Sequence, residues 1–367
     1  MKKILILTAG FGEGHNSAAR GIRDGLAEIA PVGTEVELHD LFADTYGIAN
    51  DWARVAYLGL IDRAPKAWGV VYRWLDQQTA FAGNFKVFFT LKNHLSRLLA
   101  RFRPDVIVSV YPAYPHMLDE MLGPTGSADY KRVVMITDSL SVNAIWFRCS
   151  ADYFLVPNEP SAAVLEQSGI AREKIKPLGF PVSPKFAAAA EVPRPSPSDG
   201  TGRRVLYIIN AAKPGAPQLV RRLAQLDEIQ LTVTVGRDTR LFNSLKQLRD
   251  NSQRTFEIVH WSDDLPRLLH SNHLLISKAG GATVQEALAA GCPMIVNHVI
   301  PGQEEGNARY ISEAGCGTIA TSHDSVIAAV RNAFADDAAQ WREWSANVER
   351  VSRPAAALEI ARFLLSL

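Results

Sequence analysis

The chain has 367 residues and a net charge of +1, and 47% of its residues are hydrophobic and 21% charged. This composition suffices for two α/β domains of about 150 to 200 residues each, and the near-zero charge excludes a general electrostatic attraction to nucleic acid. Three scattered cysteines indicate a reducing compartment and argue against a cysteine metal site.

The amino-terminal segment predicts a cytoplasmic protein. Its apolar run, Ile4–Leu7, is far too short for the hydrophobic region of a signal peptide, and a glycine-rich turn follows at once. No window approaches 18 uninterrupted apolar residues, so no membrane-spanning helix is predicted. We therefore expect any membrane contact to be peripheral, made from the surface.

The first predicted elements are a buried strand, Lys3–Thr8, and a helix, Asn16–Ala30, joined by the turn AGFGEGH. Three interpretations of this turn are open: a dinucleotide-binding fingerprint, a purely structural turn, and a glycine loop that presents a histidine at a helix start. The first interpretation is supported by an acidic residue, Asp40, at the end of the next predicted strand. However, His15 occupies its third glycine position and would crowd the helix against the strand.

Residues 46–103 differ in character from the rest of the chain. Nine basic and three acidic residues give this segment a net charge of +6, which leaves −5 for the remainder. Aromatic residues are interleaved with the basic ones on predicted helices; they include Trp52, Trp68, Trp74, Phe85 and Phe88. This pattern suits an anionic membrane interface, although aromatic core positions with a solvated basic face would give the same local pattern.

Two further buried strands are predicted at Pro104–Val110 and Arg132–Thr137, and each is followed by a polar candidate, His116 and Asp138 respectively. Loops at the carboxyl ends of an open α/β sheet line ligand crevices. His116 is either a cleft residue or a structural polar residue. Asp138 either orients a reacting group or caps the next helix.

Composition also predicts the domain boundaries. Residues 187–204 are rich in alanine, proline, serine and glycine, as linkers are. The boundary therefore separates domains at 1–186 and 205–353. Pro354 interrupts the last helical pattern, so a separate terminal helix is predicted at 354–367.

The second domain is predicted to open with a strand at Val205–Asn210, followed by a loop that carries Lys213. Later, the stretch Leu274–Gly317 combines a short apolar strand, a glycine turn and a helix. The glycines Gly280 and Gly281 permit close approach of an anion, and the helix start directs unpaired N–H groups and a positive dipole end at it. A phosphate site or an ordinary βα turn would both fit the glycines alone.

The whole run is more specific than its glycines. SKAGGATVQEALAAGCPMI followed by PGQEEGNARYISEAG resembles the donor-sugar signature of glycosyltransferase family 28, whose members include monogalactosyldiacylglycerol synthases and processive diacylglycerol glucosyltransferases. GFGEGHNSAA, ITDSLSVNAIWF and LGFPVSPKF also match phrases of that family. Ala279 replaces the usual proline after Ser-Lys, which removes no donor group.

The resemblance implies an α/β fold of the GT-B type, with two Rossmann-like domains facing each other across a cleft. In such folds the final helix often crosses back to the first domain, which is the expectation for 354–367. It also implies a UDP-sugar donor and no cofactor, with no metal expected because N–H groups and a helix dipole can stabilise the departing diphosphate. The implied donor-binding residues are Gly280, Gly281, Thr283, Glu286, Gln303, Glu304, Asn307, Trp261 and Lys213. Trp261 has packing between helix and sheet as its alternative.

For the acceptor side, the resemblance implies that His15 is the general base, presented by a loop that contains Gly12 and Gly14. Asp138 matches the family's Thr-Asp motif. Asn143 stands where the family has a histidine, which puts a headgroup role at this position in doubt. The implied reaction is hexosyl transfer with inversion to a lipid acceptor, diacylglycerol or its glycosylated form, at an anionic membrane surface. No nucleic-acid partner is implied. A UDP-sugar epimerase or hydrolase and a non-catalytic nucleotide-sugar-binding relative are the alternatives.

Overall fold

The computed structural model describes residues 1–11, 13–47, 88–124, 130–198, 202–209, 215–252, 254–262, 264–302 and 304–367. Within these residues the chain forms two compact units. The first comprises Met1–Pro184, Ile300–Asn307 and Ala355–Leu367, and the second comprises Lys185–Val299 and Ala308–Pro354. By their contacts, residues Ile300–Asn307 therefore belong to the first unit, although the predicted boundaries place them in the second domain.

The first unit contains a six-stranded parallel sheet in the order β2–β1–β3–β4–β5–β6. Its strands are β1 (Lys3–Thr8), β2 (Glu35–Asp40), β3 (Val106–Ser109), β4 (Lys131–Met135), β5 (Tyr153–Leu155) and β6 (Ile175–Lys176). Strand β3 is buried along its whole length and β1 at every residue but Lys3, as expected of a parallel sheet with both faces covered. The predicted strand at Lys3–Thr8 is confirmed.

Helices connect these strands. They are α1 (Glu13–Ile29), α2 (Leu41–Tyr46), α3 (Phe89–Phe102), α4 (Ala113–Leu122) and α5 (Glu159–Gln167), with one-turn 3₁₀ helices at Ala144–Trp146 and Arg172–Lys174. Helix α1 begins three residues before the predicted start. Gly14 therefore lies in its first turn and not in a loop, and Glu13 in the same turn pairs with Arg20 at 2.6 Å.

The second unit repeats the architecture with a parallel sheet in the order β12–β11–β10–β7–β8–β9. Its strands are β7 (Arg203–Ile208), β8 (Ile229–Thr234), β9 (Glu257–Val259), β10 (Leu274–Lys278), β11 (Met294–His298) and β12 (Gly317–Ile319). Its helices are α6 (Lys185–Ala190), α7 (Ala216–Ala224), α8 (Thr239–Asp250), α9 (Leu265–Ser271) and α10 (Gly281–Ala289), followed by α11 (Glu305–Glu313), which begins in the first unit, and α12 (His323–Val351). Residues 187–190 of the predicted linker thus lie in a helix.

The chain ends in a helix, α13 (Ala356–Ser366), that packs in the first unit. A Cβ atom on Gly25 of α1 would lie 2.5 Å from the carbonyl oxygen of Ala357, so the two helix backbones are in close contact. The rings of Tyr153 and Phe363 also meet at 5.1 Å between centroids. In the part of the chain that the structure describes, no helix is long and apolar enough to cross a membrane.

Candidate active site

The first sheet changes direction between β1 and β3. The chain runs from β1 outward to β2, and then returns to the other side of β1 to begin β3. Loops that leave the carboxyl ends of two such strands diverge and open a crevice between them. The loop after β1 leads into α1, whose third residue is His15, and the loop after β3 contains Tyr111.

His15 lies at this point among aromatic rings. Its imidazole centroid is 5.2 Å from the ring of Tyr111 and 5.7 Å from that of Trp146, and its Nδ1 lies 3.4 Å from the hydroxyl of Thr137. Desolvation by the surrounding protein lowers the pKa of His15 to about 4, against a smaller opposing effect of a hydrogen bond to the backbone of Val110. His15 is therefore neutral at pH 7, the state in which an imidazole can accept a proton.

Asp138 follows the end of β4 in the same crevice. Its Oδ2 accepts a hydrogen bond of 2.9 Å from the indole Nε1 of Trp146. Burial raises the pKa of Asp138 to about 6, and the hydrogen bond from Trp146 opposes that rise. Trp146 thus contacts both predicted catalytic residues, His15 through its ring and Asp138 through its N–H.

Two polar residues hold the turn that carries Trp146. Asn143 occupies the N-cap of the short 3₁₀ helix, where its Oδ1 accepts from the N–H of Ile145 at 3.0 Å. His116 is buried, and its Nε2 lies 2.7 Å from the carbonyl oxygen of Ile145. Asn143, and not Asp138, therefore caps this helix. The cap uses the amide oxygen of Asn143, which the histidine of the family would not replace directly.

The second sheet has its own direction change, between β7 and β10. Gly280 follows β10 as the N-cap of α10, where it has no side chain to cap the helix, and Gly281 is the first helical residue. Gly280, Gly281 and Thr283 are partly exposed, whereas Ala279 and Val284 beside them are buried. The helix start therefore presents N–H groups and a hydroxyl on the accessible side, which suits a phosphate.

Two other predicted donor residues lie in the second unit. Glu286 is partly exposed one turn into α10. Trp261, after β9, is 53% exposed, and the guanidinium of Arg237 lies 4.4 Å from its ring centroid. About half of its surface is therefore accessible, which favours the donor-binding prediction over packing between helix and sheet. Arg237 was not predicted, because a stacked cation leaves no local sequence pattern.

Glu304 and Asn307 belong to the first unit. Both are buried; Glu304 is 4% exposed and Asn307 is 5% exposed. The Glu304 carboxylate accepts from the N–H of Ile300 at 3.1 Å, and Asn307 Oδ1 accepts from the N–H of Ser139 at 3.3 Å. Asn307 therefore contacts the residue next to Asp138, a relationship that the sequence did not indicate.

Several predicted residues lie outside the described part of the chain: Gly12, Trp52, Trp68, Trp74, Phe85, Lys213 and Gln303. Phe88 is described, and its ring packs edge-on against Phe42 at 5.8 Å, next to the apolar cluster of the first unit. Its neighbour Phe89 is 69% exposed. The burial period of α3, at Leu91, Leu95, Leu98 and Phe102, is the signal that could have identified the outward position.

Metal ligands form no cluster among the described residues, where no group of three or more histidine, cysteine, aspartate and glutamate side chains could hold an ion. Of the three cysteines, Cys292 and Cys316 are buried and Cys149 is partly buried, and all three are free thiols.

Two family models match the chain. The model described as monogalactosyldiacylglycerol (MGDG) synthase matches residues 15–182, and the glycosyltransferase family 28 C-terminal domain matches residues 205–353. The first match begins at His15 and includes Asp138, and the second includes the whole of α10. Together they span both units.

Individual relatives agree with the family models. The chain is 27% identical to a probable chloroplastic monogalactosyldiacylglycerol synthase of Glycine max, over 100% of this chain and 71% of the relative. It is 24% identical to the processive diacylglycerol beta-glucosyltransferase of Bacillus subtilis (strain 168), over 92% of this chain and 88% of the relative.

Among solved structures, the crystal structure of MurG from Acinetobacter baumannii matches with a TM-score of 0.64 and 13% identity, over 100% of both chains. At this identity the likeness shows the fold alone. The predicted α/β class and GT-B type with two Rossmann-like domains is confirmed.

Proposed function

Because the chain belongs to the glycosyltransferases of family 28, with an amino-terminal domain of the monogalactosyldiacylglycerol synthase type, we propose that it transfers a hexose from a UDP-sugar to a lipid hydroxyl. The acceptor is diacylglycerol or a glycosylated diacylglycerol. The observation that carries the proposal is the position of His15, which is the neutral imidazole at the direction change of the first sheet, beside Asp138 and Trp146.

The proposed reaction is a single displacement with inversion. The acceptor oxygen attacks the anomeric carbon, the new C–O bond forms as the bond to the diphosphate oxygen breaks, and UDP leaves with the electron pair. The acceptor proton passes to His15. A neutral imidazole has one bare nitrogen for this purpose, and the carboxylate of Asp138 stabilises the positive charge that the imidazole gains.

The nucleotide is assigned to the second unit. Gly280, Gly281 and Thr283 offer N–H groups and a hydroxyl to the diphosphate, and Glu286 offers a carboxylate to the ribose diol. The developing negative charge on UDP is met by the amino-terminal end of α10, whose dipole favours an anion. Trp261 offers its exposed face to the base, and its stacked partner Arg237 supports the orientation of the ring.

The acceptor is assigned to the first unit and the membrane surface. Residues 46–103 carry a net charge of +6, which favours attraction to anionic lipids, and Phe89 is exposed at the start of α3. We propose that the protein works in the cytoplasm as a peripheral membrane enzyme, reaching its lipid from the surface.

The experiment that tests this function is transfer of radiolabel from a panel of UDP-sugars to diacylglycerol in vesicles that contain phosphatidylglycerol. UDP-glucose, UDP-galactose and UDP-N-acetylglucosamine are tested separately. Labelled glycolipid from one of them supports the proposal and identifies the sugar. Release of free labelled sugar at the same rate with and without lipid points to a hydrolase, and conversion of the donor to its epimer points to an epimerase.

A further inference from the structure

The backbone that carries Asp138 is tied to a distant part of the chain. The N–H of Ser139 donates a hydrogen bond of 3.3 Å to Oδ1 of Asn307, which lies 168 residues later in the sequence. Both residues belong to the first unit. The residue before Asp138, Thr137, has its hydroxyl 3.4 Å from Nδ1 of His15. A short run of backbone thus joins the proposed base to the segment that ends at Asn307.

The same contact excludes a side chain at Gly306. A Cβ atom there would lie 2.3 Å from the carbonyl oxygen of Ser139 and 2.8 Å from the backbone nitrogen of Ser141. These are backbone atoms, so no side-chain rotation relieves the overlap. Gly306 lies within α11, where alanine is intrinsically better than glycine by about 0.5 to 1 kcal/mol. The glycine is therefore explained by its contact with the Ser139 backbone and not by the helix.

The segment before Gly306 is itself held in a compact turn. The N–H of Glu304 donates to the carbonyl oxygen of Ile300 at 3.0 Å, and the Glu304 carboxylate accepts from the Ile300 N–H at 3.1 Å. Glu304 and Asn307 are both almost fully buried. Two hydrogen bonds therefore tie Glu304 to Ile300, and a shift at Gly306 or Asn307 would disturb them.

The turn after Asp138, onto which Gly306 and Asn307 dock, is also held by contacts with a second part of the chain. Leu140 has a left-handed backbone with φ of 58°, which costs a non-glycine residue free energy unless its surroundings enforce it. Its N–H donates to the hydroxyl of Ser161 at 3.3 Å, and that hydroxyl donates to Asn158 Oδ1 at 2.8 Å. The surroundings on α5 thus hold one side of the turn, and Gly306 and Asn307 hold the other.

We infer that Gly306 and Asn307 are positioning residues. They dock the segment predicted to contact the donor sugar onto the backbone next to Asp138. The residues predicted to contact the donor sugar and those predicted to act on the acceptor are thereby held in a fixed relative position. This inference rests on the proposed function. Neither residue needs to touch a reacting atom. Asn307 acts through the Ser139 N–H, and Gly306 acts through the close approach that only glycine permits.

The first test measures the contact and the binding of nucleotides, without turnover. Asn307→Ala removes the acceptor, and Gly306→Ala forces the two backbones apart. Amide hydrogen exchange in a peptide that covers residues 136–142 is expected to accelerate at least about tenfold in both variants, since an exposed amide exchanges faster than a bonded one. Isothermal titration is expected to give an unchanged Kd for UDP. The Kd for UDP-glucose or UDP-galactose, whichever binds, is expected to rise by about tenfold.

A matched control is available in the second unit. Asn347 also bonds a backbone group through its amide, donating from Nδ2 to the carbonyl oxygen of Gly315 at 3.0 Å. Asn347→Ala is expected to lower the melting temperature as Asn307→Ala does, because each removes a hydrogen bond between the side-chain amide and the backbone. It should leave exchange in residues 136–142 and the sugar-nucleotide Kd unchanged.

The second test uses turnover. Asn307→Ala and Gly306→Ala are expected to lower kcat by about tenfold to a hundredfold, the scale of a small misplacement of reacting groups. Asn307→Asp keeps an acceptor oxygen for the Ser139 N–H and is expected to restore the protected amide. Its added negative charge beside Asp138 should move the acidic limb of the pH profile to higher pH, which a purely structural role would not do.

The outcomes separate this inference from the proposed function. If the wild-type protein makes no glycolipid, the proposed function fails, and the exchange and binding measurements alone decide the inference. The inference is overturned if Asn307→Ala shows the wild-type exchange rate in residues 136–142 and both variants keep the wild-type ratio of the Kd values for UDP and UDP-sugar. Accelerated exchange with a changed ratio supports it.

Discussion

The indole Nε1 of Trp146 donates a 2.9 Å hydrogen bond to the carboxylate of Asp138 while its ring lies 5.7 Å from that of His15. One buried side chain therefore touches both groups that the proposed mechanism uses. The two groups are shifted in opposite directions: burial lowers the pKa of His15 to about 4 and raises that of Asp138 to about 6. Each shift favours the neutral form, as desolvation always does.

The pH dependence of turnover should follow Asp138. At pH 7 the carboxylate is largely ionised and His15 is neutral, which is the active combination. As the pH falls, Asp138 takes up a proton near pH 6, well before His15 does near pH 4. We predict that kcat declines below about pH 6. Asp138→Asn should have a lower kcat at pH 8 and should lose this limb; a variant with the wild-type limb would assign the titration to another group.

Replacing the indole should move the same limb. Trp146→Phe keeps an aromatic ring beside His15 but removes the N–H that lowers the pKa of Asp138. The carboxylate then holds its proton more tightly, so the limb is expected to shift upward by about one pH unit. The measurement is kcat against pH from 5 to 8.5. A limb that stays in place or shifts downward contradicts the assigned role of the hydrogen bond.

Nucleotide affinity should depend on Glu286. Glu286→Gln removes the charge that accepts from the ribose hydroxyls, and a charge-assisted hydrogen bond contributes about 1.5 to 3 kcal/mol. We predict that the Kd for UDP rises at least about tenfold by titration calorimetry. Glu173→Gln, on an exposed 3₁₀ helix of the first unit, is the matched control and should bind UDP normally. Equal affinities for the two variants would remove Glu286 from the nucleotide site.

Vesicle binding should depend on the exposed start of α3. Phe89 is 69% exposed, and Phe89→Asp replaces its apolar surface with a charge that anionic lipids repel. Because burial of one phenylalanine contributes about 1.5 to 3 kcal/mol, partition to phosphatidylglycerol vesicles should fall by about tenfold or more. Val192→Asp, at an exposed apolar position of the second unit, should bind as the wild type does. Similar losses for both variants would point to a general charge effect.

The sequence was informative where local pattern decides structure. Buried strands, the glycine at the start of α10 and the histidine at the start of α1 each follow from residue type and spacing. The helical break before Ala356 follows from Pro354. The start of α1 was misplaced by three residues, because Gly14 and Gly12 suggested a loop and the helix began at Glu13.

Contacts between distant parts of the chain had no such signal. Asn307 bonds a backbone N–H at Ser139, and any residue there except proline would offer the same N–H, so neither position shows the pairing. Asn143 stood out as a departure from its family, yet its amide caps a single helical turn that local pattern did not predict. The stacking of Arg237 on Trp261 likewise depends on two strands that the fold brings side by side.

The central claim is that a neutral His15 removes the proton of a lipid hydroxyl during hexosyl transfer. The most direct measurement compares wild-type and His15→Ala protein in the labelled-donor assay with diacylglycerol vesicles, alongside UDP titration of both. We predict labelled glycolipid for the wild type, a decrease of at least about a hundredfold for His15→Ala, and equal Kd values for UDP. Glycolipid formation by His15→Ala at the wild-type rate, with UDP bound normally, would contradict the account.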